Sequence, residues 1–294
     1  MGFGVPSAER APGARPHTPD GGSLPCKLPK LKREDGVEIH WEKRGEGPVV
    51  SLTVHSYAQP EVLESLLADL ARDHLVVIHD GRGTGRSTRR GPYDVATEAA
   101  DYAAVLEEVG GGPGIALGWG EGSHPAILLA GERPDLVARV IAIGGGGGLV
   151  AIDDAAGTEG LAGSESVRHA LLEMLSNDYR GAVRHLISAT NTTLSEDEIR
   201  ERVDRAVAYR EQESAIARVR GWMLRESIGG VPERLGERLW FLQWPTEWFT
   251  GDSMERLRHR LPEARIEVIA SDQGPVSRPD ITAALVREAS ASLR

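Results

Sequence analysis

The stretch GIALGWGEGSHPAILLAG, residues 114–131, joins an apolar strand pattern to an apolar helix pattern. The joint is the segment GWGEG at positions 118–122, in which every second residue is a glycine. Glycine accepts backbone conformations and close approaches that other residues resist. The segment therefore predicts a sharp turn from a buried strand into a helix, with Gly120 in the middle of the turn.

Short apolar strands alternate with amphipathic helices on both sides of this turn. Such an alternation predicts the α/β fold class, with a mostly parallel, doubly wound sheet that carries helices on both faces. Two segments before the alternation, 28–34 and 37–44, predict an opening antiparallel pair of strands. The remaining strands are predicted at 48–54, 74–80, 114–118 and 136–144 and within 239–251 and 265–270, and core helices at 60–73, 94–110 and 280–293.

The alternation stops after Gly144. A run of five glycines (144–148) is followed by a loose stretch, and residues 164–228 then show helical patterns only. The segment SEDE at 195–198 is a capping box, in which Ser195 caps a helix and Glu198 reaches back to it. The sequence thus predicts a helical segment that interrupts an α/β core.

These boundaries predict three parts of the chain. Residues 26–149 and 239–294 form the α/β core, and residues 150–238 form a helical cap. Residues 1–25 are rich in Pro and Gly and poor in bulky apolar side chains, so we expect a disordered leader there.

The composition narrows the classes of function. The 294-residue chain has 44 acidic and 34 basic side chains and a formal net charge of −10, which argues against a nucleic-acid partner. Cys26 is the only cysteine, so no internal disulfide can form, and a cytoplasmic location fits. No apolar run reaches the roughly 18 residues of a membrane span, and no His or Cys spacing predicts a metal site. We expect no cofactor, no membrane partner and a small-molecule ligand.

Five segments, in the same order along the chain, resemble motifs of the α/β-hydrolase fold superfamily. The segment from Gly118 to Pro134 also aligns without a gap to the sequence pattern that is usual in that superfamily. The five segments are VVSLTVHS (49–56), DGRGTGRS (80–87), GWGEG (118–122), WPTEWFTGD (244–252) and DQGPVSRPD (272–280).

The resemblance carries the catalytic triad onto residues that cannot perform its chemistry. The nucleophile position falls on Gly120, which has no side chain. The acid position falls on Ser253 or Met254, with Asp252 one residue early. The base position falls on Gln273 or, with a shift of one residue, on Asp272, both in the segment SDQG (271–274). Serine hydrolysis needs a nucleophile, a base and a group that orients the base, so we expect none here.

The resemblance also implies an oxyanion hole built from backbone N–H groups. One would come from Glu121 and the other from a residue near Ser56 or Tyr57. The side chain of Glu121 is either a base or polar contact, or an exposed acid in the first helical turn. The predicted substrate-contacting residues are His55, Ser56, Tyr57, Trp119, Gly120, Glu121 and Gln273.

Each of these positions also has a purely structural interpretation. His55 can be structural, and Trp119 can pack in the core. The turn at 80–87 contains G-x-G without a dinucleotide fingerprint, so it is interpreted as a structural turn. Large apolar side chains near the end of the cap can line a hydrophobic cavity or belong to the core; they are Trp222, Met223, Trp240, Trp244, Trp248 and Phe249.

In its layout and its missing triad the chain is similar to the bottromycin-type peptide aspartate epimerases. That resemblance implies a cofactor-independent isomerase of a natural-product tailoring pathway, acting on a hydrophobic or peptide-like molecule held between core and cap. Its substrate would assist the proton transfer next to a carbonyl-like group. Three alternatives remain: a ligand-binding protein without catalysis, a lyase or cyclase, and a hydrolase with relocated catalytic groups.

Overall fold

The described residues form a mostly parallel eight-stranded sheet. The structure is a computed structural model that describes residues 29–54, 58–146, 165–190, 194–222, 228–244, 251–270 and 274–293. The strands are β1 (Lys30–Lys32), β2 (Glu38–Arg44), β3 (Val49–Thr53), β4 (Leu75–Asp80), β5 (Gly114–Trp119), β6 (Val137–Ile143), β7 (Leu239–Gln243) and β8 (Arg265–Val268).

The order of the strands in the sheet is β1-β2-β4-β3-β5-β6-β7-β8. Strand β2 pairs antiparallel with both β1 and β4, and every other pairing is parallel. Both the opening antiparallel pair and the α/β fold class predicted from the sequence are confirmed.

Ten helices accompany the sheet in the described part of the chain. They are α1 (Glu64–Leu70), α2 (Val95–Val109), α3 (Ser123–Glu132), α4 (Glu165–Asn177), α5 (Tyr179–Thr190), α6 (Glu196–Tyr209), α7 (Gln212–Trp222), α8 (Val231–Leu235), α9 (Gly251–Arg260) and α10 (Pro279–Ala291). Short 3-10 turns cover Pro60–Leu63, Gly120–Gly122 and Gly236–Arg238.

The core has two layers, one on each face of the sheet. Successive residues of a strand point to opposite faces. On β5, Ala116 packs in a cluster with α2 and α3, whereas Ile115 and Leu117 pack in a cluster with α1 and α10. Because both faces are covered, the central parallel strands are mostly apolar.

Helices α4 to α7, residues 165–222, follow β6 and precede β7, and we call them the helical insertion. The insertion has small apolar clusters of its own, such as Val183 with Ile199 and Val203. Helix α6 begins at the predicted capping box: Ser195 Oγ accepts from Glu198 N, and Glu198 Oε2 accepts from Ser195 N. Where the cap begins and ends stays a prediction, and the leader lies outside the described residues.

A search of the described helices found none that is both long and apolar enough to cross a membrane.

Candidate functional site

The segment 118–122 is a strand-to-helix corner, as predicted. Strand β5 ends at Trp119, a 3-10 turn covers Gly120–Gly122, and α3 begins at Ser123. Gly120 has a φ of 60°, in the left-handed region where a side chain costs about 1–2 kcal/mol. We call this corner the elbow.

The two flanking glycines are required by close backbone approach. A Cβ on Gly118 would lie 2.3 Å from Ser123 Cα. A Cβ on Gly122 would lie 2.9 Å from the carbonyl oxygens of Thr53 and Val54. The glycines therefore allow α3 to start directly against the end of β3, which places the N–H groups of the turn at the carboxyl edge of the sheet.

Two buried hydroxyl groups border the elbow, and both hold backbone. Ser123 Oγ donates to the carbonyl of Gly118 at 2.9 Å. Thr53 Oγ1 donates to the carbonyl of Gly122 at 2.6 Å. Neither hydroxyl stands in for the nucleophile that Gly120 lacks, because each fixes the shape of the turn.

His124 follows the elbow and is buried. Burial lowers the pKa of its imidazole to about 4, so the ring is neutral at pH 7. Among the described residues, no group of three or more His, Cys, Asp or Glu side chains could hold a metal ion.

The acid position of the resemblance lies on helix α9. Ser253 is buried in its first turn, where its hydroxyl accepts from Arg256 Nη2 at 3.1 Å. Met254 packs in the core cluster of α2 and α3. The predicted contacts His55, Ser56, Tyr57 and Gln273 and the alternative base Asp272 lie outside the described residues, so their roles stay predictions.

The side chain of Glu121 is buried, with 6% of its surface exposed, so the alternative of an exposed acid is wrong. The turn points this side chain inward, close enough to Arg210 and Arg218 of the insertion for its charge to act on both guanidinium groups. Trp119 is half-buried and packs against the cluster of α1 and α10.

A buried ion pair joins the insertion to the core beside the elbow. Arg218 on α7 donates from Nε and Nη2 to Glu98 Oε2 on α2, at 3.0 and 2.8 Å. Its Nη1 also donates to the carbonyl of Val54 at 2.5 Å, just beyond β3. Both charged side chains are less than 10% exposed. Arg218 thus fixes the strand end that leads into the predicted oxyanion loop.

A cavity lies between this ion pair and the carboxyl ends of β3 and β4. It is small and partly open to solvent, and the centre of a water molecule can reach about 20 Å³ of it. The sequence predicts a hydrophobic cavity, but the lining of this one is mostly polar or charged. The lining residues are Thr53, Val54, His79, Gly81, Thr84, Glu98, Asp101, Pro125, Tyr209, Arg210 and Arg218. The described aromatic Trp240 instead lies in the core, with the guanidinium groups of Arg139 and Arg265 each 4.4 Å from its ring centroid.

The turn DGRGTGRS (80–87) supports one wall of the cavity, as its structural interpretation predicted. Asp80 accepts from the backbone N–H of Arg86 at 3.0 Å and from Tyr209 of the insertion at 2.8 Å. Burial and the neighbouring Asp80 charge raise the pKa of the Tyr209 phenol. Arg82 binds Asp101 from Nε and Nη2 at 2.7 and 2.9 Å.

The sequence prediction missed the arginines of the cavity. A signal was present, because Arg210, Ser214 and Arg218 follow one another at intervals of four. Residues spaced by four lie on one face of a helix, which places Ser214 and Arg218 on the same side of α7, whereas Arg210 precedes that helix in an extended conformation. All three residues are buried in the structure.

Comparison with known proteins supports the superfamily. The family model for the alpha/beta hydrolase fold matches residues 52–194, just under half of the chain. Lipase LipV of Mycobacterium tuberculosis is 29% identical over 106 residues, which cover 36% of this chain and 41% of the lipase. The chain thus matches less than half of the length of that relative.

Solved structures extend the likeness over nearly the whole chain. An esterase from Exiguobacterium antarcticum superposes with a TM-score of 0.73 at 17% identity, covering 89% of this chain and 98% of the esterase. An epoxide hydrolase from Bacillus megaterium has a TM-score of 0.70 at 12% identity, covering 89% and 99%. At such identities the likeness shows the fold alone. The chain has the α/β-hydrolase fold, and its likeness to these proteins is a likeness of fold.

Proposed function

We propose that the chain is a non-hydrolytic enzyme of the α/β-hydrolase fold, an isomerase that moves a proton at a carbon next to a carbonyl-like group. The observation that carries the proposal is Gly120, which lies at the elbow with a φ of 60° and no side chain. An enzyme with this elbow can bind and polarise a carbonyl, but it cannot form a covalent acyl intermediate there.

The three named relatives are a lipase, an esterase and an epoxide hydrolase, and they favour hydrolysis. Hydrolysis by a serine or aspartate nucleophile is nevertheless disfavoured at this elbow. Loss of triad members typically costs on the order of 10⁴–10⁶ in rate. The hydroxyls of Thr53 and Ser123 are occupied by backbone carbonyls and offer no substitute.

The proposed chemistry uses backbone groups that do not depend on a nucleophile. The N–H of Glu121 lies in the turn that precedes α3, where the helix dipole favours negative charge. With a second N–H donor from the predicted loop at 55–57, it would stabilise an enolate-like intermediate.

The proton would travel through the substrate itself or through Glu121. Glu98 binds Arg218, and Asp101 binds Arg82. Glu121 is a buried acid of the elbow, and a carboxylate at this place can exchange a proton with a bound carbon acid. A peptide-like substrate from a natural-product tailoring pathway is the proposed class.

The second candidate is a ligand-binding protein without catalysis. The observation that favours it is the state of the buried groups: Glu98 and Asp101 are paired with arginines, and His124 is neutral. A site of this kind can hold a polar ligand without moving a proton.

Proton exchange in D₂O separates the two candidates. The probe is a peptide whose aspartate residue is joined to a thiazole, and mass spectrometry follows deuterium at its α-carbon. The isomerase predicts incorporation well above a heat-denatured control, and a binding protein predicts binding without incorporation. A Glu121→Gln variant with unchanged exchange would remove Glu121 as the base and leave substrate assistance.

Hydrolysis of p-nitrophenyl acetate is the matching control. Turnover by the native chain well above the heat-denatured sample would contradict the non-hydrolytic proposal.

A further inference from the structure

Arg210 is a buried cation that faces the cavity between the insertion and the core. It follows α6 directly, and only 2% of its surface is exposed. A guanidinium carries five N–H donors. Here Nη1 donates to Ser214 Oγ at 3.0 Å, and Nε has no partner among the described residues. In the same part of the chain no carboxylate lies within 4 Å of it, although it lines the cavity.

The other charges around the cavity are compensated by direct partners. Glu98 is paired with Arg218, and Asp101 with Arg82. Asp80 is paired with Arg86 and accepts from Tyr209. Glu121 acts on Arg210 only as a more distant charge. Within the described ranges, Arg210 is therefore a positive charge of the cavity wall that lacks a contacting anion.

A second group in the same wall is also unsatisfied. The ring of His79 contacts Tyr102 in a tilted arrangement with centroids 4.8 Å apart, and its buried Nδ1 has no hydrogen-bond partner in the described part of the chain. Burial lowers the pKa of His79, so the ring is neutral and can donate one hydrogen bond. Buried polar groups are nearly always hydrogen-bonded, to protein, to water or to a ligand.

We infer that this cavity is a binding subsite for a carboxylate group, with Arg210 as its anchor. A guanidinium presents paired donors that match the two oxygens of a carboxylate. One uncompensated positive charge suits a monoanion better than a dianionic phosphate. The neutral His79 ring supplies a further donor or acceptor in the same wall.

The lining of this subsite includes Thr53 and Val54 but not Gly120. The subsite therefore lies beside the elbow and not at its centre. The inference goes beyond the proposed function. A carboxylate can bind at Arg210 whether or not the chain catalyses proton transfer, so the outcome of the D₂O experiment does not decide it.

Acetate is the probe, and acetamide is its uncharged counterpart. The thermal midpoint of the full chain is followed against each probe at pH 7.5 and constant ionic strength. We expect a saturable rise with acetate and none with acetamide. In Arg210→Met the apparent dissociation constant for acetate should rise about tenfold or more. Arg220→Met, on the exposed side of α7, is the matched control and should keep the native response.

Arg210→Lys is a second variant, which keeps the test valid if Arg210→Met does not fold. It keeps the buried charge but loses the paired donors, so it should still fold and bind acetate more weakly. Three results would overturn the inference: no response of the native chain to acetate, an equal response to acetamide, or an unchanged response in both Arg210 variants. A stronger, Arg210-dependent response to inorganic phosphate would overturn the choice of a carboxylate.

Discussion

Gly120 shows how one residue determines both the shape and the chemistry of the elbow. Its φ of 60° is reached by glycine without strain and by other residues at a cost of about 1–2 kcal/mol. A hydrolase of this fold accepts that strain in order to present a nucleophile. With glycine the turn keeps this backbone conformation and presents no side chain at position 120.

Replacing Gly120 with serine tests whether a hydroxyl at this position is enough to give hydrolysis. We expect Gly120→Ser to fold, to lose about 1–2 kcal/mol of unfolding free energy, and to gain no hydrolysis of p-nitrophenyl acetate. We expect no base beside the new hydroxyl, because the predicted base position holds Gln273. Denaturant titration and an ester assay provide the two measurements.

Gly112 provides the control for backbone strain. Its φ is 77°, and a Cβ there would meet nothing within 4 Å. Gly112→Ala should therefore cost a similar amount of stability at a position away from the elbow. Rapid ester turnover by Gly120→Ser would mean that a working base reaches the elbow, and the non-hydrolytic proposal would fall.

Gly118 is required because the backbone of Ser123 lies close to it, and not because of its φ angle. Its added Cβ would meet the backbone of Ser123 at 2.3 Å, which no side-chain rotation can relieve. We expect Gly118→Ala to destabilise the chain by about 3 kcal/mol, which is more than Gly120→Ala. Denaturant midpoints measured side by side check the order, and an equal or smaller loss at Gly118 would contradict the observed corner.

At the scale of elements, the ion pair between Glu98 and Arg218 ties the insertion to the core. It joins α2 to α7, and the same arginine holds the carbonyl of Val54. Removing one partner of a buried pair leaves the other charge uncompensated. The pair therefore controls how the insertion sits beside the end of β3.

Breaking this pair should cost more than removing a similar charge at the surface. We expect Glu98→Gln to lose about 3–5 kcal/mol of unfolding free energy, and the double variant Glu98→Leu with Arg218→Met to recover much of that loss. Denaturant titration measures all three proteins.

The exposed pair of Arg180 and Asp204, which joins α5 to α6, is the control. Asp204→Asn should cost less than about 1 kcal/mol, because exposed ion pairs contribute little. A loss at Glu98 no greater than the loss at Asp204 would show that the buried pair does not hold the insertion.

The elements were more predictable than the site, for physical reasons. Strand and helix periods are local, so segments such as 74–80 and 195–198 revealed β4 and the start of α6. Glu98 and Arg218 are 120 positions apart, and no local pattern shows that they pair. Arg210 and Arg218 lie eight positions apart on either side of the start of α7, and only the packed structure shows that both are buried.

At the scale of the whole molecule, buried histidines make the free energy of unfolding depend on pH. They do so at pH values above those at which carboxylates titrate. His124 has a pKa of about 4 when folded, against 6.5 as its ordinary value. The unfolded chain therefore binds a proton at higher pH than the folded chain. Above pH 6.5 the imidazole is neutral in both states and costs the folded chain no stability. As the pH falls from 6.5 toward 4, protonation of the unfolded chain progressively lowers the free energy of unfolding.

Replacing His124 with leucine should flatten that part of the pH profile. Between pH 7.5 and 5 the native chain should lose about 2 kcal/mol through this imidazole, and His124→Leu should lose that much less over the same range. His169 on α4, whose side chain is 74% exposed, is the matched control, and His169→Leu should leave the slope unchanged. Urea titrations at a series of pH values give the measurement. Parallel profiles for the native chain and His124→Leu would show that His124 is not held neutral by burial, and the packing of α3 behind the elbow would then differ from the structure.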